Sequence, residues 1–298
     1  MADSIIIDQL TKVYAGSSTP ALNKLSLHVN PGEVYGYLGA NGAGKSTTIR
    51  LLMNFIQPTS GTATIIGLDS VHNTVEAKRH IGYLAGDVAL WPKVTGHELF
   101  AYLSKLQGRD NSTYLRDLIA RFEAEPDKRI SDLSKGNRQK IGIIQALMHQ
   151  PDVLILDEPT SGLDPLMQEV FYQTIIEARN RGAAVFVSSH NLTEAQRMCD
   201  RIGIIKHGVL IHEQSVQSDA SLATPVFRVA FKSAEAAHKL TNQKTVKIIA
   251  HQGALLTLQP TGNIADFLGQ LSKFDIVTIS TQQLNLEDEF LEYYGDSA

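Results

Sequence analysis

The sequence predicts an α/β fold with a sheet of largely parallel character, followed by a smaller α+β unit. The short segments Val34–Leu38, Val153–Leu156 and Ala184–Ser188 are apolar and partly β-branched, which indicates strands buried on both faces of such a sheet. Pro58 and Pro151 follow two predicted helices as stop signals. The helical segments between the strands include Lys45–Asn54, Thr95–Leu106, Arg138–His149 and Pro165–Asn180.

The composition changes at Gln214–Thr224, which is rich in Ser, Gln, Asp and Ala and is predicted to be a linker. We therefore predict one domain at residues 1–214 and a small α+β domain at residues 222–298. Gln252 and Gly253 mark a hairpin turn within the second domain. The order of its predicted elements favours a ferredoxin-like unit. These elements are strands Val226–Phe231, Val246–Ala250, Ala254–Leu258 and Ile276–Ser280, and helices Ala234–Leu240, Ile264–Leu271 and Leu286–Tyr294.

The composition is that of a folded globular protein. Hydrophobic residues make up 43% and charged residues 19% of the 298 residues, and the formal net charge of -4 argues against a nucleic-acid partner. Cys199 is the only cysteine, so an intrachain disulfide is excluded. We expect Cys199 to be a small, buried apolar residue. The N-terminus does not resemble a signal peptide, and apolar runs stop well short of a membrane-spanning helix. If the protein serves a membrane, we expect another chain to supply the membrane part.

A glycine-rich loop provides the strongest motif. Residues 39–47 match the pattern G-x-x-x-x-G-K-[ST] between a predicted strand and a predicted helix. Glycines let successive backbone N–H groups point inward at an anion, and the helix adds its positive N-terminal dipole. Lys45 is expected to reach the β- and γ-phosphates of a nucleotide, and Ser46 to place its hydroxyl on Mg²⁺. An ordinary glycine-rich turn is the alternative. The predicted nucleotide-binding residues of the loop are Gly39, Ala40, Asn41, Gly42, Ala43, Gly44, Lys45, Ser46 and Thr47.

Two acidic residues follow the apolar strand that begins at Val153. Asp157 and Glu158 therefore lie at the carboxyl edge of the sheet, where α/β proteins bind ligands. We expect Asp157 to hold Mg²⁺, through water, and Glu158 to act as the general base for an attacking water. The alternative is that the strand ends in Asp-Glu by chance. The phosphate loop earlier in the chain makes this alternative less favourable.

Further motifs narrow the prediction. Leu133–Gln139 precedes a predicted helix, Ser161–Asp164 follows Glu158, and His190 lies just past a predicted strand. In this order the motifs resemble those of the ABC ATPase family, over residues 1 to about 214. The resemblance implies a P-loop NTPase of ABC type, with an antiparallel β subdomain and a helical subdomain. It also implies ATP and Mg²⁺ as ligands, and a dimer with a second ATP-binding subunit.

The resemblance assigns roles to individual residues of the signature. Ser134 and the backbone N–H of Gly136 would contact the γ-phosphate of ATP held by the opposite subunit. Lys135 and Asn137 depart from the usual Leu-Ser-Gly-Gly-Gln, and a Ser-Lys-Gly form is familiar in drug and antibiotic exporters of the daunorubicin- and bacitracin-resistance kind. Lys135 either adds positive charge near the phosphates or is a solvated lysine.

Other positions follow the family pattern with one departure. His190 resembles the histidine that contacts the γ-phosphate and orients water, and Asp164 the aspartate that links the two active sites. Tyr14 resembles the aromatic that stacks on adenine, the alternative being a partly buried strand aromatic. Where the family has Gln or Glu near Mg²⁺, this chain has Gly86. Asp87 is the nearest substitute, and we favour water in the gap and a docking role for Asp87.

The resemblance implies an ATP-hydrolysing subunit that powers an exporter of a drug, antibiotic or lipid-like substrate. A separate membrane-spanning permease would hold it at the cytoplasmic face of the cell membrane. Trp91 and Phe100 are either docking aromatics or core residues, and Leu286–Gly295 resembles the tail of drug-exporter subunits. The alternatives are an importer subunit and an ABC ATPase acting on ribosomes, chromosomes or cluster assembly. Ribosome-acting members generally carry two ATPase halves in one chain, whereas this chain has one. Chromosome-acting members insert long coiled coils between the phosphate loop and the signature, and Lys45 and Ser134 are too close in this sequence for such an insertion.

Overall fold

The computed structural model describes residues 3–108, 112–216, 226–241, 246–261 and 263–282. The chain divides into two compact units, Met1–Gln217 and Ser218–Ala298. The predicted domain limits at 1–214 and 222–298 stay a prediction. The last predicted helix, Leu286–Tyr294, lies outside the described residues.

Strands and helices alternate through the first unit. Its strands are β1 (Ile5–Lys12), β2 (Leu22–Val29), β3 (Val34–Leu38), β4 (Ser60–Ile65), β5 (Leu68–Asp69), β6 (Ile81–Leu84), β7 (Val153–Asp157), β8 (Ala184–Ser189), β9 (Arg201–Lys206) and β10 (Val209–Ser215). Its helices are α1 (Lys45–Leu52), α2 (Thr74–Lys78), α3 (Gly96–Gln107), α4 (Ser112–Arg121), α5 (Lys135–Leu147), α6 (Pro165–Asn180) and α7 (Leu192–Met198).

The described strands of the first unit form two sheets. The larger has the order β10-β9-β3-β8-β7-β6, and its neighbours pair in parallel except at the β10 edge. Every residue of β3, β7 and β8 is buried, as the apolar sequences of these strands predict. The parallel sheet is therefore confirmed.

The smaller sheet of the first unit is antiparallel, in the order β2-β1-β4-β5. Buried and exposed residues alternate along much of β2, as expected for a strand with one covered face. Apolar residues such as Ile5, Ile7 and Leu25 join a core that includes Tyr35 and Phe186 of the larger sheet. This sheet is the antiparallel β subdomain that the resemblance implies.

The end of α1 and the start of α5 differ from the prediction, for local reasons. Helix α1 ends at Leu52, because Asn54 adopts a left-handed conformation with φ of 50°. Helix α5 begins at Lys135 rather than Arg138, because the Ser134 hydroxyl accepts a hydrogen bond from the Asn137 N–H at 3.2 Å. Part of the predicted signature loop is therefore the first turn of a helix.

The aromatic residues of the helical region differ in exposure. Phe100 on α3 is 1% exposed, so it is a core residue and the docking interpretation of it is wrong. Trp91 is 50% exposed, and its ring meets that of Tyr102 edge-on with centroids 5.1 Å apart.

The second unit has the predicted order of elements. Its sheet is antiparallel with the order β12-β13-β11-β14, the strand order of a ferredoxin-like split β-α-β arrangement. Phe227, Val229 and Leu256 of the sheet and Phe267 of the second helix share one apolar core. The elements are β11 (Val226–Phe231), α8 (Ala234–Thr241), β12 (Val246–Gln252), β13 (Leu255–Pro260), α9 (Ile264–Leu271) and β14 (Ile276–Gln282).

Cys199 is buried after α7, as predicted. Its sulfur fills the space beside Gly36, where a Cβ would approach the Cys199 Sγ to 2.8 Å. Burial, and to a smaller extent Asp200, raises the pKa of the thiol far above its usual value. Of the helices that the structure describes, none combines the length and apolar character needed to cross a membrane.

Candidate active site

A cleft of about 540 Å³ opens where β3, β6, β7 and β8 end. The carboxyl ends of parallel strands meet at one edge of a sheet, so the loops that follow them surround a common space. Its lining residues are Ala21, Ala40, Asn41, Gly42, Gly44, Lys45, Ser46, Thr47, Ile49, Arg50, Tyr83, Ala85, Gly86, Asp87, Asp157, Glu158, Ser161 and His190.

The glycine-rich loop curls from β3 into α1 beside this cleft. Gly44 has a φ of 118°, and a Cβ there would lie 2.9 Å from the Ala21 oxygen, so this position requires glycine. The Lys45 side chain is 6% exposed, and its Nζ donates to the Gly39 oxygen at 2.5 Å and the Ala40 oxygen at 3.4 Å. The loop therefore holds a buried ammonium group at the floor of the cleft.

Asp157 is held from two sides at the end of β7. Its Oδ1 accepts a hydrogen bond from Ser188 Oγ at 2.5 Å, and its Oδ2 accepts one from Ser46 Oγ at 3.0 Å. Ser46 and Asp157 line the cleft, whereas Ser188 lies beneath it. A hydroxyl and a carboxylate oxygen that converge in this way form the hard oxygen donor set that suits Mg²⁺.

Glu158 lies between two basic groups. Its Oε1 is 3.3 Å from Lys45 Nζ, and its Oε2 is 2.7 Å from His190 Nδ1. The carboxylate is 22% exposed and the His190 side chain 65% exposed, so the imidazole is the outer member of the cluster. The arrangement can accept a proton from a water in the cleft at Glu158, while His190 offers a ring nitrogen to the same space.

The backbone at Glu158 is in a left-handed conformation with φ of 47°, which is rare for a residue with a long side chain. Its N–H donates to both Oγ and the carbonyl oxygen of Ser188, at 3.1 and 3.2 Å. This turn directs the Glu158 side chain towards Lys45 rather than along the strand.

Some residues of the site were not predicted from the sequence. Ser188 contacts Asp157 because β7 and β8 pair with Asp157 opposite Ser188, a register that the sequence of either strand does not reveal. Tyr83 on β6 and Arg50 on α1 also line the cleft. Burial, and to a smaller extent Asp157, raises the pKa of the Tyr83 hydroxyl, so this group stays protonated. Tyr83 lies on β6, the strand that pairs with β7, and its position on that neighbouring strand was the signal that could have identified it.

Tyr14 lies at the outer side of the glycine-rich loop. It follows β1 in an irregular segment, so the strand interpretation of Tyr14 is wrong. Its hydroxyl is 3.4 Å from Thr47 Oγ1, and Lys12 Nζ lies 5.4 Å from its ring centroid. The ring is 39% exposed and is not among the described residues that line the cleft.

The departure at Gly86 leaves space next to Asp157. A Cβ at Gly86 would lie 3.4 Å from Asp157 Oδ2, which is ordinary van der Waals contact. Asp87 lines the cleft and is exposed, and within the described residues its carboxylate makes no hydrogen bond or ion pair.

Ser134, Gly136 and Asp164 are not among the described residues that line this cleft. Ser134 caps α5, and Asp164 caps α6 by accepting hydrogen bonds from the N–H groups of Leu166 and Met167, both at 3.0 Å. A Cβ at Gly136 would lie 2.9 Å from the Gly162 oxygen, so the first turn of α5 packs closely on the loop after Glu158.

Comparisons with known proteins agree with the site. The family described as ABC transporter matches residues 22–161. The bacitracin transport ATP-binding protein BcrA of Bacillus licheniformis is 37% identical over 216 residues, which cover 72% of this chain and 70% of that protein. The uncharacterized ABC transporter ATP-binding protein YhcH of Bacillus subtilis (strain 168) is 33% identical over 282 residues, which cover 93% of this chain and 92% of the relative.

Among solved structures, an ATP binding subunit of an ABC transporter matches with a TM-score of 0.67 and 27% identity, over 71% of this chain and 89% of that chain. The resemblance that the motifs indicate is therefore confirmed. The chain belongs to the ABC transporter family, as one of its ATP-binding ATPase subunits.

Proposed function

We propose that the subunit hydrolyses ATP with Glu158 as general base, shares each active site with a second ATP-binding subunit, and drives export through a separate membrane permease. One observation carries the proposal. The Glu158 carboxylate is held between Lys45 and His190 in a cleft that a phosphate-binding loop lines.

The contacts of Lys45 suggest how ATP prepares the base. The Lys45 ammonium pairs with Glu158 and donates to the Gly39 oxygen. The β- and γ-phosphates carry more negative charge than one carboxylate and compete for this ammonium. Glu158 is then left to accept a proton from the attacking water, which His190 orients beside the γ-phosphate.

Binding of the nucleotide uses the rest of the cleft. The backbone N–H groups of residues 39–47 and the N-terminus of α1 surround the phosphates, and Tyr14 stacks on adenine. Ser46 and Asp157 would hold Mg²⁺, with Asp157 acting through water. The bound ion would neutralise charge that develops on the phosphates.

The signature residues favour a shared site. Ser134 and Gly136 begin α5 but are absent from the lining of the cleft in their own chain, within the described residues. A helix N-terminus attracts anions. A second subunit would therefore bring this turn to the γ-phosphate, and Asp164 would link the two sites.

The general-base assignment is tested with Glu158→Gln. The amide keeps the size of the side chain but cannot accept the proton, so turnover should fall about 10²–10⁴-fold while ATP binding remains. An ATP-bound dimer should also accumulate, which size-exclusion chromatography with light scattering would detect. Turnover at the rate of the unmodified protein would refute the assignment.

The shared site is tested with mixed dimers of Lys45→Ala chains and Ser134→Arg chains. One site would then carry both defects and the other neither. Two affinity tags isolate the mixed dimers, and their ATPase activity should exceed that of either variant alone. Mixed dimers with no recovered activity would contradict sharing.

Export is supported by the Ser-Lys-Gly signature and by the relationship to a protein named for bacitracin transport. We place the subunit at the cytoplasmic face of the cell membrane, bound to the permease. Affinity purification from native membranes should recover a multi-spanning protein. Uptake of substrate into inside-out vesicles then distinguishes export from import, and recovery of ribosomes or chromosomal proteins alone would favour the other ABC ATPase classes.

A further inference from the structure

Gln139 on α5 makes a buried contact with the loop that carries Glu158. The residue is 3% exposed, and its Nε2 donates a hydrogen bond to the Pro159 oxygen at 2.7 Å. Pro159 directly follows Glu158 in the chain. A buried amide donor and a buried carbonyl need each other, because neither has water as an alternative partner.

The segment around Glu158 needs such support. A left-handed residue other than glycine persists when the surrounding structure over-determines it. Within the described residues, Ser188 accepts from the Glu158 N–H, Gln139 donates to the Pro159 oxygen, and Thr160 Oγ1 donates to Glu194 Oε2 at 2.9 Å. Three consecutive residues are thus held from β8, α5 and α7.

We propose that Gln139 is a positioning residue for hydrolysis, which holds the Glu158 carboxylate in place through the Pro159 carbonyl. The proposal rests on the proposed role of Glu158. It makes α5 serve two sites in the dimer. The first turn of α5 faces ATP on the partner subunit, while Gln139 on the same helix supports the base that acts on ATP in its own subunit.

The first test is Gln139→Met, which keeps the length and apolar packing of the side chain but removes the donor. Displacement of a reacting group by about 1 Å can cost about 10²-fold in rate, so a partly supported loop should lower kcat about tenfold. KM and ATP affinity should stay within about twofold, because the phosphate loop is untouched.

Gln145→Met is the matched control, since Gln145 is a partly buried glutamine on the same helix. It should leave kcat unchanged. Thermal melting should separate lost positioning from lost folding. If Gln139→Met does not fold, Gln139→Leu removes the donor with another apolar side chain, and its kcat and KM are read in the same way.

The second test asks which subunit needs Gln139. In the mixed dimer of Lys45→Ala and Ser134→Arg chains, the intact site takes Glu158 from the Ser134→Arg chain and the signature from the Lys45→Ala chain. When Gln139→Met is placed in the chain that supplies Glu158, the kcat of the mixed dimer should fall about tenfold. When it is placed in the other chain, kcat should fall less than twofold. A role in the signature turn predicts the reverse.

The outcomes separate this proposal from the proposed function. Unchanged kcat in Gln139→Met, or loss only in the chain that supplies the signature, would overturn the positioning role. A mixed dimer that is inactive before any change at Gln139 would instead overturn the shared site. In that case, the positioning role of Gln139 is tested by comparing the kcat of Gln139→Met with that of Gln145→Met, each measured in protein that contains a single variant.

Discussion

Two helix N-termini of the first unit differ in how they are prepared for an anion. Helix α1 follows Gly44, which has no side chain with which to cap the helix, and it opens into the cleft of its own chain. Helix α5 follows Ser134, whose hydroxyl already accepts the Asn137 N–H, and it begins outside that cleft. The first turn of α1 therefore keeps its amide donors for a ligand, whereas α5 has satisfied one of them internally.

Under the proposed function, the difference means that one chain prepares only part of a phosphate-binding site. The glycine-rich loop, Lys45 and Glu158 lie together in a single subunit. When a partner subunit binds, the Ser134 hydroxyl can contact a phosphate in one of two ways. It either continues to accept the Asn137 N–H or gives up that hydrogen bond for the phosphate. Substitutions at the two helix starts should consequently separate nucleotide binding from hydrolysis.

The largest expected effect is on binding at α1. Lys45→Ala removes a buried charge that is expected to face the phosphates, and truncation of such a partner costs about 2–5 kcal/mol. ATP affinity of the isolated subunit should fall at least about 30-fold by isothermal titration. Lys140→Ala removes a positive charge on α5 instead and should change the affinity less than twofold. An undiminished affinity in Lys45→Ala would contradict the assigned contact.

A smaller effect is expected at the start of α5, and on a different step. Ser134→Asp keeps a good capping side chain but places a carboxylate towards the γ-phosphate of the partner's ATP. ATP affinity of the isolated subunit should stay within about twofold, while ATPase activity of the dimer should fall about tenfold or more. Loss of affinity in the isolated subunit would show that Ser134 acts in its own cleft.

The smallest effect is expected at Asp87, which lines the cleft without a hydrogen bond or ion pair to the described residues. Gly86 leaves room beside Asp157 that water can fill. Asp87→Ala should thus leave basal ATPase activity within about twofold and weaken stimulation by the membrane partner. A large loss of basal activity that added Mg²⁺ restores would show that Asp87 acts on the metal side.

The predicted strands illustrate what local sequence can establish. Val34–Leu38 has the predicted limits, because an apolar, partly β-branched run flanked by glycine or polar residues is a complete signal in itself. The start of α5 was predicted too late, since the Ser-Lys-Gly segment was interpreted as a loop. Ser134 provides the capping hydroxyl, and that signal favours the earlier start.

The phosphate loop, the strand that carries Asp157 and Glu158, and the family could all be predicted from the sequence alone. Each depends on neighbouring residues whose backbone requirements, such as the left-handed Gly44, are local. The folded structure was needed to see that Ser188 contacts Asp157, that Gln139 donates to the Pro159 oxygen, and that the start of α5 lies outside the cleft of its own chain. These contacts arise from strand register and helix packing across long sequence separations, which the pattern of a single segment does not encode.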